Sequence, residues 1–369
     1  MDKRIVKLSE LLTGYSCNLQ SGNRILIEYD GNAAIPLVRQ LIKDAYRLGA
    51  RPYVNCRNSQ IHRELLLGAD EEQLTFQSAY ELMQMEGMDA FITIRSPENF
   101  SELSGVPVEK LQLYDSLMDP VLERRLNHTK WVLLRYPNPA LAQMSDMSQE
   151  TFEDFFFDVC TMDFGKMSCA MDSLIGLMNR TDKVQLKGPG TNLTFSIKGF
   201  PAIKCDGKHN IPDGEVFTAP VRDSVNGVIS YNVKSQWQGV THENIRLNIK
   251  DGKIIEATSS NTAHLNQTLN CDEGARYFGE FAIGVNPFVM EPINDILFDE
   301  KICGSLHFTP GAAYEKADNG NHSSLHWDLV MIQRPEYGGG EIWFDDVLIR
   351  KDGLFVIDEL KCLNPENLK

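Results

Sequence analysis

No stretch of this 369-residue sequence approaches the ~18 consecutive apolar residues of a membrane span. The start, MDKRIVKLSELL, lacks the apolar core of a secretory leader. Neither an anchor nor a leader is expected. Basic residues are in the minority: 36 Lys and Arg stand against 51 Asp and Glu, for a net charge of −15. Nucleic acid and anionic membranes both need a basic face, so neither is an expected partner. The eight cysteines are scattered, with no CxxC pair. That excludes a zinc ribbon and a disulfide framework, and leaves the reduced, mostly buried thiols of a soluble cytoplasmic protein. HExxH is absent, so there is no helix-borne zincin site. No serine has the setting of a nucleophile elbow.

What is present is the composition of a globular protein, 42% hydrophobic and 24% charged. The length is too great for one ordinary core, and two domains are expected. A short helix over residues 5–12 precedes a buried strand at 23–29 (NRILIEY). A helix over 33–48 follows, with Val38, Leu41, Ile42 and Ala45 on its apolar face and Gly49 just beyond its end. A strand at 51–55 completes a βαβ unit, which implies parallel strands and a right-handed crossover. The turn after the first strand has only Gly31, not GxGxxG, so no dinucleotide site is read there. Helices around 61–67 and 77–84, strands at 89–94 and 129–135, and a helical stretch over 146–180 continue the pattern. Residues 1–180 thus read as an α/β domain with an open, mostly parallel sheet.

Near Arg180 the period changes. Val184 and Leu186 alternate with their neighbours, as do Leu193, Phe195 and Ile197 on the far side of GPGT. Asp251-Gly252 and Asp352-Gly353 sit between further alternating runs, and Asp-Gly in that position signals a hairpin. Residues 181–369 therefore read as a β-rich α+β domain with short helices inserted.

The residues that could carry chemistry lie in this second half. His326 and Asp328 are two apart and precede the apolar Leu329, Val330 and Met331. In a strand they would present an imidazole and a carboxylate side by side, a pair that suits a divalent metal. A hydrogen-bonded histidine at a strand end is the plainer alternative. Glu215 opens a strand after the turn Pro212-Asp213-Gly214, and an exposed strand-start glutamate is its plainer reading. Glu280 stands in an apolar run, where a carboxylate is costly unless it is paired, for instance with Arg276, or holds a metal. With His307, these residues make three carboxylates and two imidazoles, a ligand count suited to two divalent ions sharing one carboxylate. Trp327 would face the opposite way, into the core. His322 is read as lying behind the ligands or in solvent. His62, His128, His209, His242 and His264 have no partner pattern.

Four stretches, NIPDGEVFTAP, GEFAIGVNP, SLHFTPGAAY and NHSSLHWDLVM, occur in this order. They resemble the signature motifs of the thermophilic aminopeptidase family of metallopeptidases, which includes aminopeptidases T and S and PepS. The resemblance implies an α/β domain followed by a β-barrel-like domain, homodimers, and removal of N-terminal residues from peptides with two divalent ions (Zn, Co, Mg or Mn). It places the metal ligands at Glu215, Glu280, His307, His326 and Asp328, and a catalytic tyrosine at Tyr314, seven residues after His307. Glu215 or Glu280 would serve as the catalytic base. Two departures stand out. The family commonly carries two acidic residues before VFT, where this chain has Gly214 and then Glu215, and the segment from Tyr314 to His326 is shorter than usual. Some relatives of this fold carry one iron ion and open hydroxypyridine rings. The alternative is therefore a mononuclear non-haem iron ring-opening dioxygenase, with His307, His326 and Asp328 as its open triad.

Overall fold

The computed structural model describes residues 2–369. It divides into two compact units, Met1–Thr161 with Gly207–Ile211, and Met162–Asp206 with Pro212–Lys369. Among the described residues no helix is long and apolar enough to cross a membrane.

The first unit is the expected open α/β sheet. Its strands β1 (Arg24–Asp30), β2 (Arg51–Arg57), β3 (Ala90–Arg95) and β4 (Lys130–Arg135) pair in parallel in the order β2-β1-β3-β4, and the short strand Asn210–Ile211 extends the far edge. The centre of β1 and nearly all of β3 are buried, which is why both read as continuous apolar runs. Helix α1 (Lys3–Glu10) is capped by Asp2, whose carboxylate accepts from the Arg4 N–H at 2.8 Å. Helix α2 (Ile35–Arg47) buries Leu37, Val38, Leu41 and Ala45. Between β2 and β4 lie α3 (Ser59–Gly68), α4 (Glu71–Glu86) and α5 (Val108–His128). The sequence gives no sign of α5: none of its 21 residues is buried, and Pro120 lies inside it.

The helical stretch expected over 146–180 is two helices. Gln149–Cys160 is capped by Ser148, whose hydroxyl accepts from the Thr151 N–H at 3.1 Å. The second, Phe164–Arg180, is capped by Asp163. The sequence period changes at Arg180, whereas the compact units part at Thr161. The difference is this second helix, which is bound to the second unit: Lys204 donates to Asp172 at 2.6 Å, and Ala202 N–H donates to Asn179 at 2.8 Å.

The second unit holds two large antiparallel sheets and a two-stranded one, Ser235–Trp237 with Val240–His242. One has eight strands and is built largely from the three hairpins read in the sequence, Lys183–Gly188 with Thr191–Ser196, Arg246–Lys250 with Lys253–Thr258, and Val347–Lys351 with Leu354–Phe355. The other has five strands, in the order Val330–Ile332, Ser305–Pro310, Phe278–Gly284, Glu215–Thr218, Ile203–Cys205. Aromatic rings join them: Phe195 of the first sheet lies 5.0 Å from Phe281 and 4.8 Å from Phe308 of the second, and Phe278 and Phe308 are 4.3 Å apart. Since side chains alternate along a strand, what stands between these rings points the other way.

Candidate metal centre

That alternation builds the site. On Phe278–Gly284, Phe281 faces the aromatic core and Glu280 faces away. On Ser305–Pro310, Phe308 faces the core and His307 faces away. The register sets Glu280 opposite Thr309, Ala282 opposite His307, and Gly284 opposite Glu215. Glu215, Glu280, His307 and Thr309 therefore share one face of three adjacent strands.

His326 and Asp328 reach the same face by another route. The expected strand carrying both does not form. His326 makes an isolated bridge to Gly311, and regular pairing resumes only at Val330. The extended segment still sets the two side chains side by side, with His326 Nε2 3.3 Å from Asp328 Oδ1. Two hydrogen bonds orient them. His326 Nδ1 lies 2.8 Å from the Ala312 carbonyl, which can only accept, so Nδ1 carries the proton and the neutral ring keeps its lone pair at Nε2. The Thr309 hydroxyl donates to Asp328 at 2.6 Å. Trp327, between them, is buried on the other side, 5.3 Å from Trp237 and bonded to Ser235.

The five side chains form two linked groups. Glu215, Glu280 and His307 bring one donor atom each within 4.8 Å of one another, and so do Glu280, His326 and Asp328. Glu280 belongs to both: its Oε1 lies 3.4 Å from His307 Nε2 and its Oε2 lies 3.3 Å from His326 Nε2. Arg276, its alternative partner, bonds Asn266 and Asn270 instead. Glu215 Oε2, Glu280 Oε2, His307 Nδ1 and His326 Nε2 are buried without a hydrogen-bond partner. Each such atom costs about 1–3 kcal/mol unless something else satisfies it. Borderline divalent cations match this all-oxygen-and-imidazole set.

The sequence offered no sign of Lys301. It is 0% exposed, and its ammonium lies 2.6 Å from Glu215 Oε1, 2.6 Å from Glu300 and 3.4 Å from Asp213. Burial opposes its charge, but these carboxylates hold it well above the usual lysine range. Cys205, Asp213 and Glu215 make a third metal-like group. There the chain supplies its own cation, because Lys301 already sits against Asp213 and Glu215. Lys301 offsets only part of the negative charge that these carboxylates bring together.

Without ions the imidazoles meet that charge. Burial opposes protonation of His307, but Glu215, Glu280 and Asp328 lift it to about 10. Burial likewise opposes His326, and Asp328 and Glu280 lift it to about 12. Burial also raises Glu300, relieved in part by Lys301 and reinforced by Glu215 and Asp328, to about 8. Tyr314 is 50% exposed, with its ring 4.6 Å from the His326 ring and 5.6 Å from Phe217. His322 is exposed, and His242 and His264 stack on each other rather than joining the cluster.

The family described as Thermophilic metalloprotease (M29) matches residues 1–340. This chain belongs to that family. Aminopeptidase 2 of Geobacillus stearothermophilus is 26% identical, over 95% of both chains. Aminopeptidase T of Thermus thermophilus is 26% identical, over 89% of this chain and 92% of its own. Aminopeptidase PepS of Streptococcus thermophilus is 24% identical, over 89% and 92%. The fold matches the solved wild-type AmpT from Thermus thermophilus with a TM-score of 0.79 at 23% identity, covering 96% of this chain and 99% of that one. The M29 chain described here is thus a metallopeptidase, and the comparisons lend no support to the iron dioxygenase alternative.

Proposed function

We propose that this M29 chain is a metal-dependent aminopeptidase with a dinuclear centre. Glu215 and His307 would hold one ion, His326 and Asp328 the other, and Glu280 would bridge them. The observation that carries this is the sharing of Glu280 between two compact donor groups. The relatives named aminopeptidase support the choice of reaction.

When bound, two divalent ions supply Lewis-acid activation of water and of the scissile carbonyl. The chain's own residues prepare the rest. Lys301 occupies Oε1 of Glu215 and leaves Oε2 to the ion. The Ala312 carbonyl and the Thr309 hydroxyl fix His326 and Asp328 in place. Tyr314, standing beside His326, would donate its hydroxyl hydrogen to the oxyanion as the carbonyl becomes tetrahedral. Glu215, on releasing Oε1 from Lys301, or Glu280, on releasing one of its two oxygens, would take the proton of the attacking water. Zn, Co, Mn and Mg all suit this donor set, and the substrates would be peptides with a free amino terminus. The family resemblance also carries homodimers and a cytoplasmic location to this chain as part of the proposal.

The test is to strip the protein with chelator and restore it without oxygen using Zn²⁺, Co²⁺, Mn²⁺ or Fe²⁺. Restored enzyme should release amino-terminal residues from short peptides and leave N-acetylated ones intact. Turnover of hydroxypyridines only with Fe²⁺ and O₂, and no peptide hydrolysis, would contradict it.

A further inference from the structure

The first unit has a cavity of about 770 Å³ that the peptidase reading leaves unused. Its position follows from topology. β1 connects to β2 on one side, and β2 then crosses back to β3 on the other side of β1. The chain therefore reverses direction across the sheet between β1 and β3, and open parallel sheets bind ligands at the carboxyl ends of the strands beside such a point. Asp30, Arg57 and Arg95, the last residues of β1, β2 and β3, all line the cavity. Helices α3, α4 and α5 roof it, and α5 buries none of its own residues against the sheet.

The lining is apolar below and charged around. Leu26, Met85 and Phe91 belong to one buried cluster and form part of the wall. Arg57 is spent on Glu28 at 2.9 Å and Glu81 at 2.9 Å, and Arg95 faces Glu28 at 3.5 Å and Asp30 at 3.9 Å. Arg125 differs. Its Nε is buried without a hydrogen-bond partner, and among the described residues no ion pair engages its guanidinium, which lies 5.2 Å over the Phe91 ring. Burial, eased only in part by Glu28, pulls the group below the usual arginine range. A half-buried guanidinium with no anionic partner is costly, and a carboxylate is its natural complement. Acidic side chains outnumber basic ones around the cavity: Glu28, Asp30, Glu81, Asp115 and Asp119 against the three arginines. That excess repels polyphosphates, and no glycine-rich turn cradles phosphate here, but it suits an ammonium group.

We propose that this cavity binds an apolar zwitterion, a free amino acid or short peptide whose carboxylate pairs with Arg125, whose amine meets the acidic wall, and whose side chain covers Phe91 and Leu26. The site lies wholly within the first unit and does not depend on the metal centre.

The test uses the full chain, stripped of metal so that no amine can be held by an ion. Calorimetry with leucine and with trileucine tells the two sources apart, and the tighter binder names the ligand class. N-acetyl-trileucine and trileucine amide each lose one charge and should bind about tenfold or more weakly. Arg125→Met should weaken binding at least as much. Its Tm should not fall, because no ion pair is lost and methionine keeps an apolar contact with the Phe91 ring. Arg125→Lys should restore part of the affinity. No binding of leucine or trileucine at millimolar concentration, or undiminished binding to Arg125→Met, would overturn the proposal. So would undiminished binding of either blocked peptide, or a clear fall in Tm with Arg125→Met.

Discussion

Tyr314 is half exposed beside His326 and forms no part of the buried donor cluster, so its hydroxyl can be removed without disturbing the ligands. Tyr314→Phe should lower kcat by about 10²-fold, the usual scale for one oxyanion donor, with metal content unchanged. An unchanged kcat would remove Tyr314 from the reaction. His307 supplies a second prediction, about pH. Its imidazole is raised from 6.5 to about 10 in the metal-free protein. A group whose folded pKa is raised stabilises fully below its unfolded value and loses that contribution as pH rises through the folded one. Metal-free protein should therefore lose stability between pH 6.5 and about 10, whereas metal-loaded protein, with its imidazoles already deprotonated, should not lose it through this group. Thermal melts of both forms across that range decide it, and a metal-free Tm that holds level would contradict the account. At this scale the five donor positions were legible because each sits in a short motif. Lys301 was not, because a lysine in DEKIC carries no local sign that two carboxylates from elsewhere, Asp213 and Glu215, will join its neighbour Glu300 around it.

Strand alternation and the turn before Glu215 place the donors. That turn leaves little room for a side chain at position 214. Gly214 has φ +137°, and a Cβ there would stand 2.8 Å from that of Asn286. Asn286 is fully buried and donates to the Asp213 carbonyl at 2.7 Å, while Val285 N–H donates to the Gly214 carbonyl at 2.9 Å, so neither segment can easily move aside. Gly214→Ala should cost about 1–3 kcal/mol, from backbone strain and the clash together. Denaturant melts would measure it, and a neutral effect would show that the turn is slack. The hairpins at Asp251-Gly252 and Asp352-Gly353 were legible because both residues of each turn have positive φ, which that pair tolerates. Helix α5 was not legible, because a helix that buries nothing leaves no apolar period to read. The expected strand through His326 and Asp328 failed for a related reason. Extended backbone gives the same spacing whether or not a neighbouring strand pairs with it, and here the pairing begins only at Val330.

At the scale of the whole molecule, the change from βαβ units to hairpins gave the order of architectures, and the M29 match and the AmpT fold agree with it. The second unit contains every donor of the cluster, and the first contains a separate charged cavity. The central claim is that the cluster holds two ions about one shared carboxylate. Anomalous X-ray diffraction from crystals of metal-loaded protein, recorded on both sides of the absorption edge of the bound metal, tests it most directly. The account predicts two peaks roughly 3.5–4 Å apart on either side of Glu280, one against Glu215 and His307 and the other against His326 and Asp328. A single peak touching His307, His326 and Asp328, with Glu215 bound only to Lys301, would contradict it.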